Sequence, residues 1–504
     1  MPSNPGKLRS IPRLELGFYA TVWTIAFIYS YFKVYEGGRL QALTYFNPHD
    51  FSPPLFPGLD QRDTSDYDWT LWTSLLASLA PWYVAHLVLA ESIRKWEPSA
   101  LPLTHTLVTL SALVVYLPPA SAFVIIFVVL LFSFALLVRS ASLTWIISVI
   151  LLISVNVFSE YLFSTYYHSY GDISLTICCF GWFLLKCIDF TLIEIHTTGS
   201  ILGKFMNLLG YSFYLPCFFL GPFVPYESFK AGLCRTYVPW TGQRFLSLVY
   251  SLARVVFWYF AFEMATHFFY CHAMHFKILQ VLSLGNWALN GVGLCMAQFF
   301  LVKYTVIYGT PLAVARAELY EVPPNPKCVN RIHLYSNMWR HFDRGFYLFL
   351  MRCVYKPMCG IRKPSLLRRL AASFVSFCFV FLWHGVNRAM FVWSAMNFVG
   401  ICLESLGKVF LASAPVSRLI SKMNPAMVRR LEALACSPMW VMAVLSNYVF
   451  FDYDLGMATA GQLFSASGPV LLFVMFIGYC MCQMSIEMFN WDSKKSQLLF
   501  QRRR

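Results

Sequence analysis

Charge is what this sequence has least of: 12% of its 504 residues are Asp, Glu, Lys or Arg. A soluble domain of ordinary make-up carries about 25%. Hydrophobic residues make up 58% of the chain, so too little polar material remains to clothe a water-facing surface, and a soluble fold is excluded. The sequence also lacks a Ser/Gly-rich linker, a low-complexity tract and an internal repeat. These absences argue against a string of domains or a solenoid. One membrane-embedded body, residues 1–504, is the simplest organisation. The 15 cysteines form no CxxC pair and no zinc-finger spacing, so a disulfide framework is not expected. Scattered through apolar stretches such as Cys178-Cys179, they suit small buried hydrophobes. The formal charge of +15 would suggest nucleic acid in a soluble protein. Here the positives gather in short loops and at the termini, as membrane topology requires.

What the chain does have is long apolar runs. Residues 120–138 and 141–159 are each 19 residues without a formal charge, separated by Arg139-Ser140. Each is long enough for a helix across a hydrocarbon core of about 30 Å. Residues 101–117 precede them and end at Pro118-Pro119, which must break a helix. Further candidate spans are 16–32, 69–90, 172–193, 245–267, 288–308, 370–388, 389–407, 438–452 and 468–487. The expected fold is an all-α polytopic membrane protein with about ten to twelve membrane segments, re-entrant ones included.

The connecting segments orient it. Lys7, Arg9 and Arg13 precede the first span, and Lys494, Lys495 and residues 502–504 close the chain. The 408–437 segment carries Lys408, Arg418, Lys422, Arg429 and Arg430 against Glu432, whereas 33–68 has six acids against Lys33, Arg39 and Arg62. Positive segments stay cytosolic, so both termini are expected in the cytosol and 33–68 in the lumen. No small-residue cleavage site precedes Lys33, so the first apolar stretch is expected to be an uncleaved anchor.

Ionisable groups at membrane depth cost roughly 2.5–3.5 kcal/mol each, so those that persist carry information. Lys186, Asp189 and Glu194 lie in or near one span, and Lys186 and Asp189 are spaced to neutralise each other on one helix face. His384 follows the apolar run 374–383, precedes Gly385 and has no adjacent carboxylate. It is a satisfied packing residue or an acid–base group. Asp343 sits in MWRHFDRG, 338–345, between Arg340 and Arg344. That stretch is too polar for a lipid-exposed span and suits a re-entrant or interfacial helix; the arginines, if turned inward, would keep Asp343 ionised. In 211–229, Pro216, Gly221-Pro222 and Pro225 forbid a straight helix although the segment is apolar. Broken backbone at this depth is tolerated where it lines a cavity.

These stretches, with 301–311 (LVKYTVIYGTP), WHG at 383–385, LSN at 445–447 and SDYDW at 65–69, resemble in order and spacing the membrane-bound O-acyltransferase family. Within it they are most similar to the branch that acylates hedgehog-type proteins. The resemblance implies a helical membrane core with a tunnel, entered by acyl-CoA from the cytosol and by a protein substrate from the lumen. It implies an endoplasmic reticulum enzyme transferring palmitate from palmitoyl-CoA to the α-amino group of an N-terminal Cys on a secreted protein. His384 and Asp343 match its catalytic positions, the second being Asn in enzymes that acylate hydroxyls. Trp339 and Asn447 fall near the acyl-CoA, and Cys328 matches a thiolate ligand of haem b. Taken without the resemblance, Trp339 is an interfacial aromatic, Asn447 helix-packing glue and Cys328 an ordinary thiol. A serine or lipid O-acyltransferase and a multispanning transporter are the alternatives. An N-glycosylation acceptor engineered into 33–68 is expected to be modified on microsomal expression. Modification of one placed in 408–437 instead would invert the topology.

Overall fold

The computed structural model describes residues 10–42, 45–166, 170–329, 333–360 and 362–502. Lys7, Arg9, Arg503 and Arg504 lie outside the described residues. The fold is almost wholly helical; the one short sheet among the described residues pairs Phe51–Ser52 with Arg62–Asp63 antiparallel. Among the described residues, eleven helices are long and apolar enough to cross a membrane, as the scarcity of charge demands. The predicted first span, 16–32, lies in the 30-residue helix Arg13–Ala42, which is long enough but not among the eleven. Its Tyr, Trp and Thr residues dilute its hydropathy. That helix also extends into 33–68, expected to be a loop, and binds its first turn to the far end of the chain. Glu15 accepts from Arg430 at 2.8 Å.

Two helices run well beyond the spans expected for them. The stretch 438–452 is the second half of Pro425–Phe451, which passes through Pro438, and 288–308 belongs to Asn286–Ala317, which passes through Pro311. Inside a packed bundle, neighbouring helices relieve the carbonyl that proline leaves unpaired. The segment 408–437 is accordingly not a loop: Arg429 is fully buried and donates to Glu487 at 2.7 Å. The span expected at 370–388 ends at His384, because Gly385 adopts φ 117°.

Two spans form the interior. In Tyr170–Glu194 and Asn286–Ala317 about 72% and 67% of the spanning window is buried, against 6% in Gly242–Ala265. The first two therefore face protein and the third faces lipid. The broken segment is buried from 211 to 226, and Glu227 beyond it is exposed. A helix, Ile201–Ser212, leads into it and another, Tyr226–Leu233, leaves it. At its bend Gly221 has φ 75°, and a Cβ there would stand 2.7 Å from the Trp182 ring. Conformation and space both require glycine.

The Lys186–Asp189 ion pair does not form. Lys186 donates to the Ser212 carbonyl at 3.4 Å, while Asp189 pairs with Arg352 and accepts the Tyr226 N–H at 2.7 Å. Glu194 accepts from Lys230 at 2.7 Å. Arg352 comes from a six-residue π-helical turn, Leu350–Tyr355. Breaking a buried pair strands the remaining charge and costs about 3–5 kcal/mol. Arg352→Ala should therefore lower the thermal midpoint markedly, and adding Asp189→Asn should restore part of the loss. Equal midpoints for Arg352→Ala and wild type would show that the pair does not hold the fold.

Candidate active site

Asp343 owes its position to a break between two short helices, Tyr335–Phe342 and Arg344–Phe349. Its φ of −112° and ψ of 87° are not helical, and its carboxylate caps the second helix by accepting the Phe346 N–H at 2.9 Å. A helix start exposes unpaired N–H groups that favour an acid there. The other carboxylate oxygen accepts the Tyr308 hydroxyl at 3.0 Å, from the inner span Asn286–Ala317. Arg340 and Arg344 do not turn toward it as expected. Both guanidiniums lie against the Tyr347 ring, at 5.5 and 5.2 Å, held by its π face. Asp343 lies outside the eleven spans, and the protein around it pushes its carboxyl up from the ordinary value. Hydrogen bonds from Phe346, Tyr308 and Gly345 oppose that rise.

His384 is the last residue of its helix, and one side chain fixes the turn that follows. Asn156, from Ala141–Tyr166, donates to the Leu382 carbonyl at 2.9 Å and accepts the Val386 N–H at 2.7 Å. The imidazole stands among Trp383, Trp393, Phe450 and Phe346, with centroids 4.8, 5.2, 5.8 and 6.3 Å away. The residue is nonetheless exposed. Among the described residues its nitrogens have no hydrogen-bond partner. They are available to an incoming group.

Asp343 and His384 share a wall. Phe346 caps onto one and packs against the other. Tyr308 continues through Trp182 at 6.2 Å and Trp383 at 5.1 Å to the imidazole. Trp339 joins the same wall: its indole N–H donates to Asn397 at 2.7 Å, and its ring meets Trp393 edge-on at 5.2 Å. Asn447 stands apart. It approaches the Tyr335–Phe342 helix through Met338, at 3.8 Å. It also lines a cavity of about 550 Å³ with Trp23, Phe27, Leu294 and Phe473. That volume is in the range of ligand sites, but neither Asp343 nor His384 is on its wall.

Cys328 is half-buried and outside any disulfide. Its sulfur lies 3.9 Å from Gln298 Oε1 and 4.0 Å from Nε2. These contacts are those of a thiol beside an amide and give a haem no support, and no step below passes through haem.

Asn156, Tyr308 and Trp182 were not singled out in the sequence. Asn156 carried a signal, being one amide in a 19-residue uncharged run. The partnership of Tyr308 with Asp343 is a product of the fold alone.

A carboxylate held by a hydroxyl and a backbone N–H, and an unpartnered imidazole packed against the same Phe346, are groups able to take up and give protons. Both groups fall within residues 201–446, which match the membrane-bound O-acyltransferase family. The chain belongs to this family. This acyltransferase is 27% identical over 485 residues to the protein-cysteine N-palmitoyltransferase Rasp of Drosophila melanogaster, covering 94% of this chain and 95% of the relative. It is 26% identical over 456 residues to the protein-cysteine N-palmitoyltransferase HHAT of Mus musculus, covering 86% and 89%. To the HHAT-like protein of Mus musculus it is 24% identical over 506 residues, covering 95% of each.

Asn156→Leu keeps the apolar character of its span but releases the turn after His384. A misplacement of about 1 Å can cost 10²-fold, so acyl transfer should fall by one to two orders of magnitude, roughly, at unchanged thermal stability. Turnover equal to wild type would show that Asn156 does not position His384.

Proposed function

We propose that this acyltransferase moves palmitate from palmitoyl-CoA to the α-amino group of an N-terminal Cys on a secreted, hedgehog-type protein. The reading places it in the endoplasmic reticulum membrane with both termini cytosolic, the acyl donor arriving from the cytosol and the acceptor from the lumen. Relatives named for protein-cysteine N-palmitoyl transfer align with most of the chain. The observation that carries the choice of amine over hydroxyl is the acid at Asp343, held in the same aromatic-walled space as His384.

An α-amine has a pKa of about 7.7–8.0 and reaches the site mostly protonated. A buried ammonium needs an anion, and the Asp343 carboxylate supplies one. The environment that raises its pKa also makes it a better base for the proton the amine must lose. The nitrogen lone pair then attacks the thioester carbonyl. His384 donates to the oxygen that gains negative charge, the role in which a preorganised donor is worth most. As the tetrahedral intermediate collapses, the C–N bond is kept and the C–S bond breaks; of the two protons the ammonium loses in becoming an amide N–H, one is taken by Asp343 and the other leaves on the CoA thiol. Trp339, stacked through Trp393 toward His384, is assigned to orient the acyl-CoA, and Asn447 to its more distant part.

Mass spectrometry of an N-terminal-Cys peptide incubated with purified protein and palmitoyl-CoA tests this. The free peptide should gain one palmitoyl group and its Nα-acetylated form none. His384→Ala and Asp343→Asn, at equal folded amounts, should each lose about 10²–10⁴ in rate. Activity should decline as pH falls toward the raised pKa of Asp343, because the protonated acid can neither hold the ammonium nor accept its proton. The reading fails if the acetylated peptide is acylated on a hydroxyl as fast as the free one on nitrogen. Wild-type rates in either mutant would remove that residue from the mechanism.

A further inference from the structure

Away from this site, three helices each bring one polar side chain to a common point. His86 lies on Tyr67–Trp96, His105 on Leu101–Tyr116, and Glu318 caps Asn286–Ala317. The three are the His/Cys/Asp/Glu group of metal-ligating geometry among the described residues, with ligand atoms all within 4.8 Å of one another. The side chains of His86 and Glu318 are 0% exposed, and His105 is equally buried. The proposed reaction uses none of them.

Their hydrogen bonding does not close. Both Glu318 carboxylate oxygens, both His86 ring nitrogens and His105 Nδ1 are buried without a hydrogen-bond partner. A buried carboxylate in that condition is strongly disfavoured unless a cation completes it. His86 Nε2 stands 3.2 Å from Glu318 Oε1, but no aligned hydrogen bond joins them. Close yet unaligned atoms are what two ligands of one ion present. With metal bonds of about 2.0–2.1 Å, neighbouring vertices of a tetrahedron are roughly 3.4 Å apart.

His105 is arranged in the same sense. Its Nε2 lies 3.0 Å from the Tyr320 hydroxyl, which also accepts from Arg94 at 3.3 Å. An outer hydrogen bond of this kind on one ring nitrogen fixes the ring and leaves the other nitrogen to a metal. The His86 and His105 rings stack with centroids 4.9 Å apart, and Tyr214 packs edge-on against both. The Tyr214 hydroxyl is buried and stands beside Glu318. It offers one further oxygen at the open side.

We propose that His86, His105 and Glu318 bind a divalent transition-metal ion, zinc being the ion that two imidazoles and a carboxylate best fit. The ion neutralises Glu318, satisfies one unpartnered atom of each of the three side chains and ties three spans together beside Tyr214 of the broken segment. Its role is structural.

The test uses full-length protein purified without a histidine tag, with zinc in the growth medium and no chelator. Mass spectrometry of the metal should find about one zinc per chain, and its absorption edge a nitrogen and oxygen shell at about 2.0–2.1 Å. His105→Gln, checked for a monodisperse elution profile, should lose that zinc. The wild-type measurement stands alone should the variant misfold. Wild type with less than about a tenth of a zinc per chain, or a shell containing sulfur at about 2.3 Å, overturns the proposal. So does unchanged zinc in a folded His105→Gln.

Discussion

Irregular backbone inside a membrane protein persists only where something other than water meets its hydrogen bonds, and here that depends on Asp189. One carboxylate on an inner span accepts the Tyr226 N–H at the exit of the broken 211–229 segment and pairs with Arg352. The Tyr211 hydroxyl at the entry of the segment approaches it at 3.4 Å and donates to the Val224 carbonyl at 2.7 Å. Arg352 belongs to the π-helical turn that follows directly on the helix capped by Asp343. The inner span, the broken segment and the support of the candidate site are thus tied through a single side chain. A fully buried carboxylate is costly on its own. Its cost is offset because it substitutes for hydrogen bonds that two irregular stretches would otherwise lack.

The two candidate catalytic groups are held in opposite ways. Asp343 is fixed by a cap and by Tyr308, so its carboxylate cannot rotate freely. His384 is confined by ring edges alone, with its turn pinned by Asn156. Aromatic walls exclude water and orient the imidazole without occupying its nitrogens. A group that must hold a cation is rigid, and a group that must meet a changing oxygen keeps its donors open. That division suits acyl transfer, in which charge appears on the carbonyl oxygen only as bonds rearrange.

Much of this was legible in the chain. Uncharged runs such as 120–138 specify spans by length alone, and the polar MWRHFDRG inside an apolar region marked the break at Asp343. Gly385 after His384 marked a helix end, although the span was placed four residues too long. Pairing was not legible. Lys186 and Asp189 share a helix face by spacing, yet the partner of Asp189 lies 163 residues away, and no local pattern encodes that. The spans placed at 288–308 and 438–452 are parts of longer helices that pass through Pro311 and Pro438, because packing tolerates a proline that an isolated helix would not. The basic residues of 408–437 looked like solvated loop charges; Arg429 instead binds Glu487 and Gln483 across two helices.

The lipid-facing helix Gly242–Ala265 gives the bilayer a mechanical part in the chemistry. It packs along Asn286–Ala317, and at their crossing a Cβ on Gly309 would stand 2.7 Å from Val255. Gly309 is the neighbour of Tyr308, the residue that holds Asp343. With 24 residues the outer helix is about 36 Å long. A bilayer of different thickness makes such a helix tilt, and at this crossing only the Val255 side chain stands between it and the backbone of Gly309. A tilt there would bear on the residue next to the hydroxyl that positions the carboxylate.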